Sequence, residues 1–492
     1  MQAIALKPDF AEAYSNLGNA LKDKGHLDEA IAACAQAISL KPAFAEAHNN
    51  LGNALKDKRQ LSEAIAAFRR AIDLKPSLAE AHNNLGNALQ GKGHWNQAIA
   101  AFRQAIKLKP EFAEAHNNFG NAMESKGKLD EAIAAYMQAI ALRPDFAEAH
   151  SNFGNAMKDK GHLNEAIAAY RRAIALEPDL AQVHNNFGLA LLLQADFAQG
   201  WEEYEWRWKL KDTVSLRQDI AKPEWDGGHL AGRTILLHAE QGFGDTLQFI
   251  RYVPLVQQRG GEAIVVCQPE LRRLLQTMTP GLPVVARGQP LPAFDVHCPL
   301  LSVPRLFGTD LTNIPDTVPY LHAGAEDIGF WRARLADYSG YLKVGLVWAG
   351  SPRHKKDSNR SLKFSSFALL AKVSGVRFFS LQKGEAATEF ATPPQGMELV
   401  DMSGELEDFA DTAAFIANLD LIVTVDTSVA HLAGAMGRPV WTLLPFAPDW
   451  RWLLEREDSP WYPTMRLFRQ PAVGDWDSVI QRVAKELAVF RV

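Results

Sequence analysis

Apolar positions in the first part of the chain follow a helical pattern that recurs every 34 residues. Proline marks this period, at Pro8, Pro42, Pro76, Pro110, Pro144 and Pro178. Within the period Ala45–Pro76, the small residues Gly52 and Ala64 allow two antiparallel helices to approach closely, and Leu55 and Phe68 fill the space beside them. Proline then ends the second helix, since it has no amide donor and its ring clashes with the preceding turn. The pattern predicts an array of helix pairs.

From Arg233 onward, short apolar runs alternate with amphipathic stretches, which predicts strands alternating with helices. The strands of a first series are predicted at 234–239, 263–267 and 283–286. Those of a second series are predicted at 343–349, 377–381, 421–425, 440–444 and 465–468. Helices are predicted at 246–258, 270–278 and 476–490. This order favours two parallel, doubly wound lobes, with ligands at the carboxyl ends of the strands in the cleft between lobes.

The 34-residue unit resembles the tetratricopeptide repeat (TPR), in whose arrays the first helix of each repeat lines the concave surface. Five repeats are complete, from Ala11 to Pro178. A sixth begins at Ala181 and loses the pattern in the aromatic run "WEEYEWRWKL", so we interpret it as a capping repeat packed against the next domain. The chain opens within a repeat, so the natural array is expected to extend further upstream.

Each predicted first helix carries asparagines that helix packing does not require. One series comprises Asn16, Asn50, Asn84, Asn118, Asn152 and Asn186, and a second comprises Asn19, Asn53, Asn87, Asn121 and Asn155. The i, i+3 spacing puts both series on one helix face, and a primary amide both donates and accepts hydrogen bonds. The array also resembles the repeat half of O-GlcNAc transferases, which implies a groove for an extended acceptor peptide. The alternative is that these asparagines are solvated or brace neighbouring repeats.

The first strand of the second half leads into "GFGDTLQFIRYVP". Gly242 and Gly244 allow a tight turn and a close approach to a ligand. Asp245 is expected at the start of the next helix, where it is either an N-cap or a general base that takes the proton of an acceptor hydroxyl.

The stretch "VDTSVAHLAGAMGRPV" places a helix start directly after a predicted strand that ends at Val425. Backbone N–H groups at such a start, with the hydroxyls of Thr427 and Ser428, form an anion site. His431 lies one turn inside the helix. The sequence therefore predicts a phosphate-binding turn here.

The loop "WAGSPRHKKDSNRSLKF" gathers hydroxyls and cations that suit a diphosphate, unless it is an ordinary solvated loop. The residues proposed from it are Ser351, Arg353, Lys356 and Arg360. Gln382, Lys383 and Glu385 follow the next predicted strand and are expected where a donor base or ribose would be met.

The stretch "VDTSVAHLAGAMGRPVWTLLP" resembles the donor-domain signature of the heptosyltransferase-like (family 9) glycosyltransferases, and "GFGDTLQFIRYVP" is similar to that family's first-lobe element. The resemblance covers roughly 232–470. It implies a GT-B fold, inverting transfer from a nucleotide-diphosphate sugar, and no metal or other cofactor. By the same resemblance Asp245 would be the general base and Asp426 would orient the donor loop. Thr427, Ser428 and His431 would bind the donor diphosphate.

The expected fold class is therefore multidomain, an all-α TPR superhelix followed by an α/β GT-B fold of two Rossmann-like lobes. The expected domains are an array at 1–212, a linker at 213–231, an acceptor-side lobe at 232–322, an interlobe connection at 323–340, and a donor-side lobe with a terminal helix at 341–492.

Composition narrows the function classes. The length of 492 residues predicts more than one domain, and 47% apolar with 22% charged residues is typical of a soluble globular protein. A net charge of −5 gives no drive toward nucleic acid, and no stretch is apolar enough for a membrane span. With three scattered cysteines and no signal peptide, the protein is expected to be cytoplasmic.

Two patterns that suggest metal binding are interpreted as structural. The histidines of the repeated "AEAH" occupy a packing position of the repeat, at His48, His82, His116 and His150. Asp475 and Asp477 form the only D-x-D and are interpreted as the start of the last helix.

Three functional hypotheses follow. The leading one is a glycosyltransferase that uses a nucleotide-diphosphate sugar and a peptide or protein acceptor held by the repeats. The second keeps the enzyme but gives it a glycan or lipid-linked acceptor, with the repeats docking partner proteins. The third is a non-catalytic scaffold whose transferase half has degenerated.

Overall fold

A computed structural model describes residues 2–210, 220–353 and 357–491 of the chain. The chain divides into two compact units between Leu180 and Ala181. The first unit is all helical, and the second contains two parallel sheets. The predicted fold class, an all-α repeat array followed by two α/β lobes, is confirmed.

The first unit consists of antiparallel helix pairs with the predicted 34-residue period. Its helices, α1 to α11 in chain order, are Gln2–Leu6, Ala11–Asp23, Leu27–Leu40, Ala45–Asp57, Leu61–Leu74, Ala79–Gly91, Trp95–Leu108, Ala113–Ser125, Leu129–Leu142, Ala147–Asp159 and Leu163–Leu176. A Cβ atom added at Gly52 would lie 2.5 Å from the Phe68 ring, so glycine is required for this close approach. Within this unit, the first helices of successive repeats, α2, α4, α6, α8 and α10, also contact one another in order, as expected if they line one surface.

The second unit begins with the helices of the sixth repeat, α12 (Ala181–Leu193) and α13 (Phe197–Tyr204), and a 3₁₀ turn, Glu205–Lys209. We call 181–209 the sixth repeat. Its aromatic side chains are buried against the first α/β lobe, which is why it belongs to the second compact unit. The compact unit thus begins well before residue 212, where the sequence places the end of the array.

The predicted linker at 213–231 falls partly outside the described residues. Its described end is not free, because the Trp225 backbone N–H donates to the His297 carbonyl at 2.8 Å and the Trp225 side chain is buried. Residues 220–231 therefore pack on the first lobe.

The first lobe holds a four-stranded parallel sheet in the order β3-β2-β1-β4. Its strands are β1 (Thr234–His238), β2 (Glu262–Cys267), β3 (Val284–Ala286) and β4 (Val296–Pro299). The hydropathy pattern did not predict β4, whose His297 and Cys298 interrupt the apolar run. The helices of this lobe are α14 (Phe243–Phe249), α15 (Val253–Gln257), α16 (Arg272–Leu275) and α17 (Val303–Leu306).

The second lobe holds a six-stranded parallel sheet. Its strands are β5 (Leu342–Val347), β6 (Val376–Ser380), β7 (Leu399–Asp401), β8 (Leu421–Val425), β9 (Val440–Leu444) and β10 (Met465–Arg469). Numbered within the lobe, the spatial order is 3-2-1-4-5-6, the doubly wound order of dinucleotide-binding folds. The pattern did not predict β7, an edge strand of only three residues.

The remaining helices are α18 (Ala325–Arg334) between the lobes and, in the second lobe, α19 (Asp357–Arg360), α20 (Phe409–Ile416), α21 (Ser428–Ala435) and α22 (Trp476–Val489). The predicted terminal helix, α22, packs on the second lobe. Val479, Ile480 and Val483 lie in the core of the second lobe, so α22 covers that lobe. Asp475 caps it, accepting the Ser478 backbone N–H at 3.1 Å, which confirms the predicted N-cap.

Candidate active site

The starts of α14 in the first lobe and α21 in the second lobe pack against each other. Both helices follow central strands, β1 and β8, so both starts lie at the carboxyl ends of their sheets. A Cβ atom added at Gly244 would lie 2.7 Å from His431 Cδ2 and 3.3 Å from its Nε2. The two motifs predicted separately from the sequence therefore meet, and glycine at 244 permits the contact.

Asp245 occupies the third position of α14 rather than its N-cap, which is Gly242. One carboxylate oxygen, Oδ2, accepts the Gly242 backbone N–H at 2.8 Å. The other, Oδ1, accepts from the guanidinium of Arg451, which belongs to the second lobe. Asp245 is therefore not the N-cap of α14, and its carboxylate faces the second lobe.

Arg451 is a site residue that the sequence analysis missed. Its Nη1 donates to Asp449 at 2.9 Å and its Nε donates to Gln248 at 2.6 Å, in addition to the bond to Asp245. It is 7% exposed and lies over the Trp450 ring at 4.6 Å. The motif "DWRW" shortly after β9 was an available signal. Tryptophan rings attract an arginine guanidinium, so an arginine between two tryptophans is expected to be fixed in place.

A second arginine joins the lobes. Arg251, from the first lobe, donates from Nη1 to the Trp461 carbonyl at 2.9 Å and from Nη2 to the Tyr320 hydroxyl at 2.9 Å. The Tyr320 hydroxyl in turn donates to the Leu247 carbonyl at 2.9 Å. The end of α14, the helix that carries Asp245, is therefore tied to Tyr320, and the residues that follow it are tied to Trp461 of the second lobe.

His431 is buried within this contact. Its Nδ1 lies 2.9 Å from the Tyr462 hydroxyl and its ring stacks on Trp452. Burial, and then the charges of Arg451, Arg251 and Arg360, hold the pKa of His431 well below its ordinary value. The ring is therefore neutral at physiological pH. Its ring lies against Gly244, one helical turn after the turn at 426–428.

The predicted anion turn forms without a side-chain cap. Thr427 is the N-cap of α21 with extended backbone, but its hydroxyl pairs with Thr424 Oγ1 at 3.0 Å and does not cap the helix. The Ser428 hydroxyl has no partner among the described residues. Helix-start N–H groups without a capping acceptor are available to an anion.

Asp426 lies directly before this turn and is 9% exposed. Burial, and then repulsion by Asp449, raise the pKa of Asp426 to about 6, although Arg360 and Arg451 act in the opposite direction. The carboxyl group is therefore a buried acid within the electrostatic reach of two arginines and of Asp449.

The cationic loop contributes one arginine that the structure places near the turn. Arg360 bonds to Asp357 Oδ1 at 3.1 Å and acts electrostatically on both Asp426 and His431. Ser351 and Arg353 are exposed, and Lys356 lies outside the described residues.

The side chain of Gln382 forms hydrogen bonds with backbone groups of the protein itself. Its Oε1 accepts the backbone N–H groups of Trp348 and Ala349 at 3.0 and 2.9 Å, and its Nε2 donates to the Ala349 and Lys383 carbonyls at 3.0 and 2.9 Å. The carboxamide therefore ties the ends of β5 and β6 together. The Lys383 ammonium donates to the Ser403 carbonyl at 2.6 Å, whereas Glu385 is exposed. A donor-binding role for these three residues stays a prediction.

In the first unit, the first asparagine series pairs between repeats. The Nδ2 of Asn84, Asn118 and Asn152 donates to Oδ1 of Asn49, Asn83 and Asn117 at 3.1, 3.0 and 3.0 Å. Asn50 donates likewise to Ser15 at 3.0 Å. These four amides brace neighbouring repeats, which was the alternative interpretation, and each keeps its own Oδ1 without a partner among the described residues.

The remaining asparagines differ along the array. Asn16 and Asn19 are exposed, Asn53 and Asn87 are half-buried, and Asn186 accepts from Gln182 at 2.9 Å. Asn121 accepts from the Tyr136 hydroxyl at 2.7 Å. The proposed peptide groove therefore stays a prediction.

The other predicted sites are structural or lie apart. The repeated histidines contact proline carbonyls of the preceding turn at 2.9–3.1 Å, through Nε2 of His48, His82, His116 and His150. Over residues 2–210, 220–353 and 357–491, no group of three or more His, Cys, Asp or Glu side chains could hold a metal ion. No helix within these ranges combines the length and hydropathy needed to cross a membrane.

Comparison with known families agrees with both halves. Residues 18–194 contain five matches to a family described as "TPR repeat", and residues 1–32 match one described as "Tetratricopeptide repeat". Residues 361–449 match "Glycosyltransferase family 9 (heptosyltransferase)". That last match includes the turn at 426–431, whereas Asp245, Arg360 and Arg451 lie outside it.

One relative, Protein FlbA of Caulobacter vibrioides (strain ATCC 19089 / CIP 103742 / CB 15), is 28% identical over 328 residues. The alignment covers 61% of this chain and 54% of FlbA, so the chain spans about half the length of that relative.

Solved structures match the repeat array. MamA is 30% identical with a TM-score of 0.30, over 34% of this chain and 96% of MamA. YrrB, titled a TPR protein with an unusual peptide-binding site, is 26% identical with a TM-score of 0.30, over 37% of this chain and 94% of YrrB. At such TM-scores these likenesses carry no argument about this chain.

Proposed function

We propose that this chain, in which tetratricopeptide repeats precede a glycosyltransferase family 9 (heptosyltransferase) domain, transfers a sugar from a nucleotide-diphosphate sugar to an acceptor hydroxyl. The observation that supports the proposal most strongly is the meeting of two helix starts from two lobes. One carries the carboxylate of Asp245, and the other is the uncapped turn of Thr427 and Ser428.

The donor diphosphate is proposed to bind at the start of α21. Its negative charge would be met by backbone N–H groups and by the Ser428 hydroxyl. Arg360 and Arg451 supply nearby positive charge, since both act electrostatically on Asp426 and His431. Neutral His431 would support this turn from behind through its bond to Tyr462.

Asp245 is proposed as the general base. The acceptor oxygen attacks the anomeric carbon of the donor and forms the new C–O bond, while Asp245 takes the hydroxyl proton. The bond from that carbon to the diphosphate oxygen breaks, and the nucleoside diphosphate leaves with the electron pair. Attack opposite to the leaving group inverts the anomeric configuration. The chemistry uses protein groups alone and needs no metal or other cofactor in this proposal.

The acceptor is proposed to be a peptide or protein segment held by the repeats. Supporting this, each of four asparagines keeps an Oδ1 without a partner among the described residues. Such a row of acceptors suits the backbone N–H groups of an extended chain. The family description "heptosyltransferase" supports a second candidate, a heptosyltransferase-like enzyme with a glycan or lipid-linked acceptor, in which the repeats dock partner proteins.

The test compares Asp245→Asn with Asp475→Asn, which changes a structural carboxylate at the start of α22 and keeps a good N-cap residue. Nucleotide sugars with UDP, GDP, ADP and dTDP are screened by thermal shift, and turnover of the best donor is measured. Asp245→Asn is expected to lower turnover by about 10²–10⁴-fold while nucleotide binding persists. Asp475→Asn is expected to behave as wild type. If no nucleotide sugar shifts the melting temperature, the scaffold hypothesis replaces the enzyme.

A further inference from the structure

The sixth repeat reaches the first-lobe loop that carries Asp245. We call residues 239–245, which include the first turn of α14, the first-lobe site loop. Within it, the buried carboxylate of Glu240 accepts from Arg207 Nη2 at 2.9 and 3.3 Å, and Gln241 Nε2 donates to the Tyr204 hydroxyl at 3.0 Å. Arg207 and Tyr204 both belong to the sixth repeat.

The contact between Arg207 and Glu240 is an ion pair removed from water. The Glu240 side chain is 0% exposed and that of Arg207 is 2% exposed. Burial raises the pKa of Glu240 to about 7 against the attraction of Arg207. Arg207 also donates to the Ser302 hydroxyl at 2.8 Å, and the Leu301 backbone N–H donates to Glu240 at 3.2 Å. A charge so enclosed holds its loop in one place, because any displacement would leave it unpaired.

The sixth repeat also reaches the loop that carries Arg451. We call Asp449–Trp452 the second-lobe site loop. Trp450 packs edge-on against Trp201 of α13, with ring centroids 5.2 Å apart, and α12 contacts the same loop. The Trp201 indole N–H donates to the Thr309 carbonyl at 2.8 Å. Phe249 of α14 lies in the same aromatic cluster.

We infer that the sixth repeat is a positioning element of the transferase site, which holds the Asp245 and Arg451 loops of the two lobes in register. The inference rests on the proposed function for its catalytic meaning. It assigns Tyr204 and Arg207 as positioning residues, since each acts through its loop and neither is placed against the reacting atoms.

The geometric reason is the bond between Asp245 and Arg451, which joins the two loops. A carboxylate that must take a proton from an acceptor hydroxyl has to be placed to within a fraction of an ångström. Tyr204 fixes the first loop four residues before Asp245, and Trp201 fixes the second loop beside Arg451. Loosening either contact is expected to affect turnover more than donor binding.

The main test uses Tyr204→Phe, which removes only the hydroxyl that accepts from Gln241. The matched control is Tyr170→Phe, which removes a buried tyrosine hydroxyl bonded to Asn155 at 2.8 Å in the fifth repeat. Activity is measured as donor hydrolysis by the full chain, which needs no acceptor. Hydrogen–deuterium exchange is measured over both site loops.

Tyr204→Phe is expected to lower kcat about tenfold with little change in donor KM, and to speed exchange in the site loops. Tyr170→Phe is expected to change neither quantity. Wild-type exchange in both loops of Tyr204→Phe, with only a lower Tm, would overturn the inference.

A second pair of variants separates positioning from stability. Arg207→Met leaves Glu240 buried without its cation, so Tm and kcat are both expected to fall. Adding Glu240→Gln removes the fully buried charge, and Tm is expected to recover in large part, because Glu205, the other partner of Arg207, is 20% exposed; kcat and loop exchange are not expected to recover. Recovery of kcat together with Tm would show that the pair is only structural.

Failure of the proposed function gives a different result. If wild type and Asp245→Asn hydrolyse the donor equally, Asp245 is not the base and the proposed mechanism is wrong. Exchange in the two loops does not depend on turnover, so it still decides whether the sixth repeat holds them.

Discussion

At the scale of residues, the candidate site consists of a few polar side chains that are buried where the two lobes meet. His431, which was predicted to bind a diphosphate, is buried, neutral and bonded to Tyr462, and its role toward a donor stays a prediction. Arg451 was not predicted as a site residue, yet its guanidinium is bonded to Asp245, the predicted base. The contact itself depends on Gly244, where any side chain would collide with the His431 ring.

The depressed pKa of His431 predicts a pH dependence of stability. The folded protein keeps the ring neutral, whereas the unfolded chain takes up a proton below about pH 6.5. Stability is therefore lost as the pH falls below that value, by up to about 1.4 kcal/mol per pH unit. Glu240 and Asp426 have raised pKa values and act in the opposite direction over the same range.

The contribution of His431 is isolated with His431→Gln, which retains a polar side chain toward Tyr462. Urea unfolding between about pH 5 and pH 8 is expected to show wild type losing stability relative to the variant only below about pH 6.5. Parallel stability curves across the whole range would mean that the folded protein protonates His431.

At the scale of elements, asparagines of the repeat helices form hydrogen bonds from one repeat to the next. The Asn118 amide crosses from one repeat to the next and satisfies the Oδ1 of Asn83, whose side chain is buried. A buried acceptor that loses its donor is costly, so this bond is a structural requirement of the array.

Replacing Asn118 by alanine is predicted to destabilise its neighbourhood by about 1–3 kcal/mol, because it leaves Asn83 Oδ1 unpaired. Asn19→Ala is the control, since that exposed side chain makes no hydrogen bond to a described residue and the helix-propensity gain is the same. Native-state hydrogen exchange over α6 to α8 is the measurement. Equal protection in the two variants would show that Asn118 does not brace the neighbouring repeats.

At the scale of the whole molecule, the sixth repeat belongs by sequence to the array and by packing to the transferase half. Its Trp201, Tyr204 and Arg207 are buried against the first lobe and its site loop. The division of the chain at Ala181 follows from these contacts.

A truncation predicts the consequence. A fragment of residues 181–492 is expected to unfold cooperatively, whereas one of residues 211–492 exposes the apolar surface around Phe249 and lacks the partner of Glu240 in the sixth repeat. Because that apolar surface is returned to water, the shorter fragment is expected to be the less stable of the two. Size-exclusion chromatography and thermal unfolding of the two fragments are the measurements. Equal stability would place the domain boundary near residue 212, as the sequence first indicated.

Several features could be predicted from the sequence because they depend on local order. The 34-residue period specifies helix pairs, since small residues and proline recur at fixed positions. Apolar runs specify the buried strands, although they miss β4 and β7, where polar residues or brevity hide the pattern. The strand-to-helix turns at 242–245 and 425–428 are equally local, which is why both were found.

The tertiary structure alone decided which distant groups meet. Arg451 lies 206 positions from Asp245, and Arg207 lies 33 positions from Glu240, so no periodicity or spacing links them. Their pairing follows from the order of the parallel strands, which brings strand ends from two lobes to one place, and from the burial of aromatic side chains that fixes the sixth repeat there. The sequence by itself determined the elements and the two motifs. Packing determined that the two motifs meet.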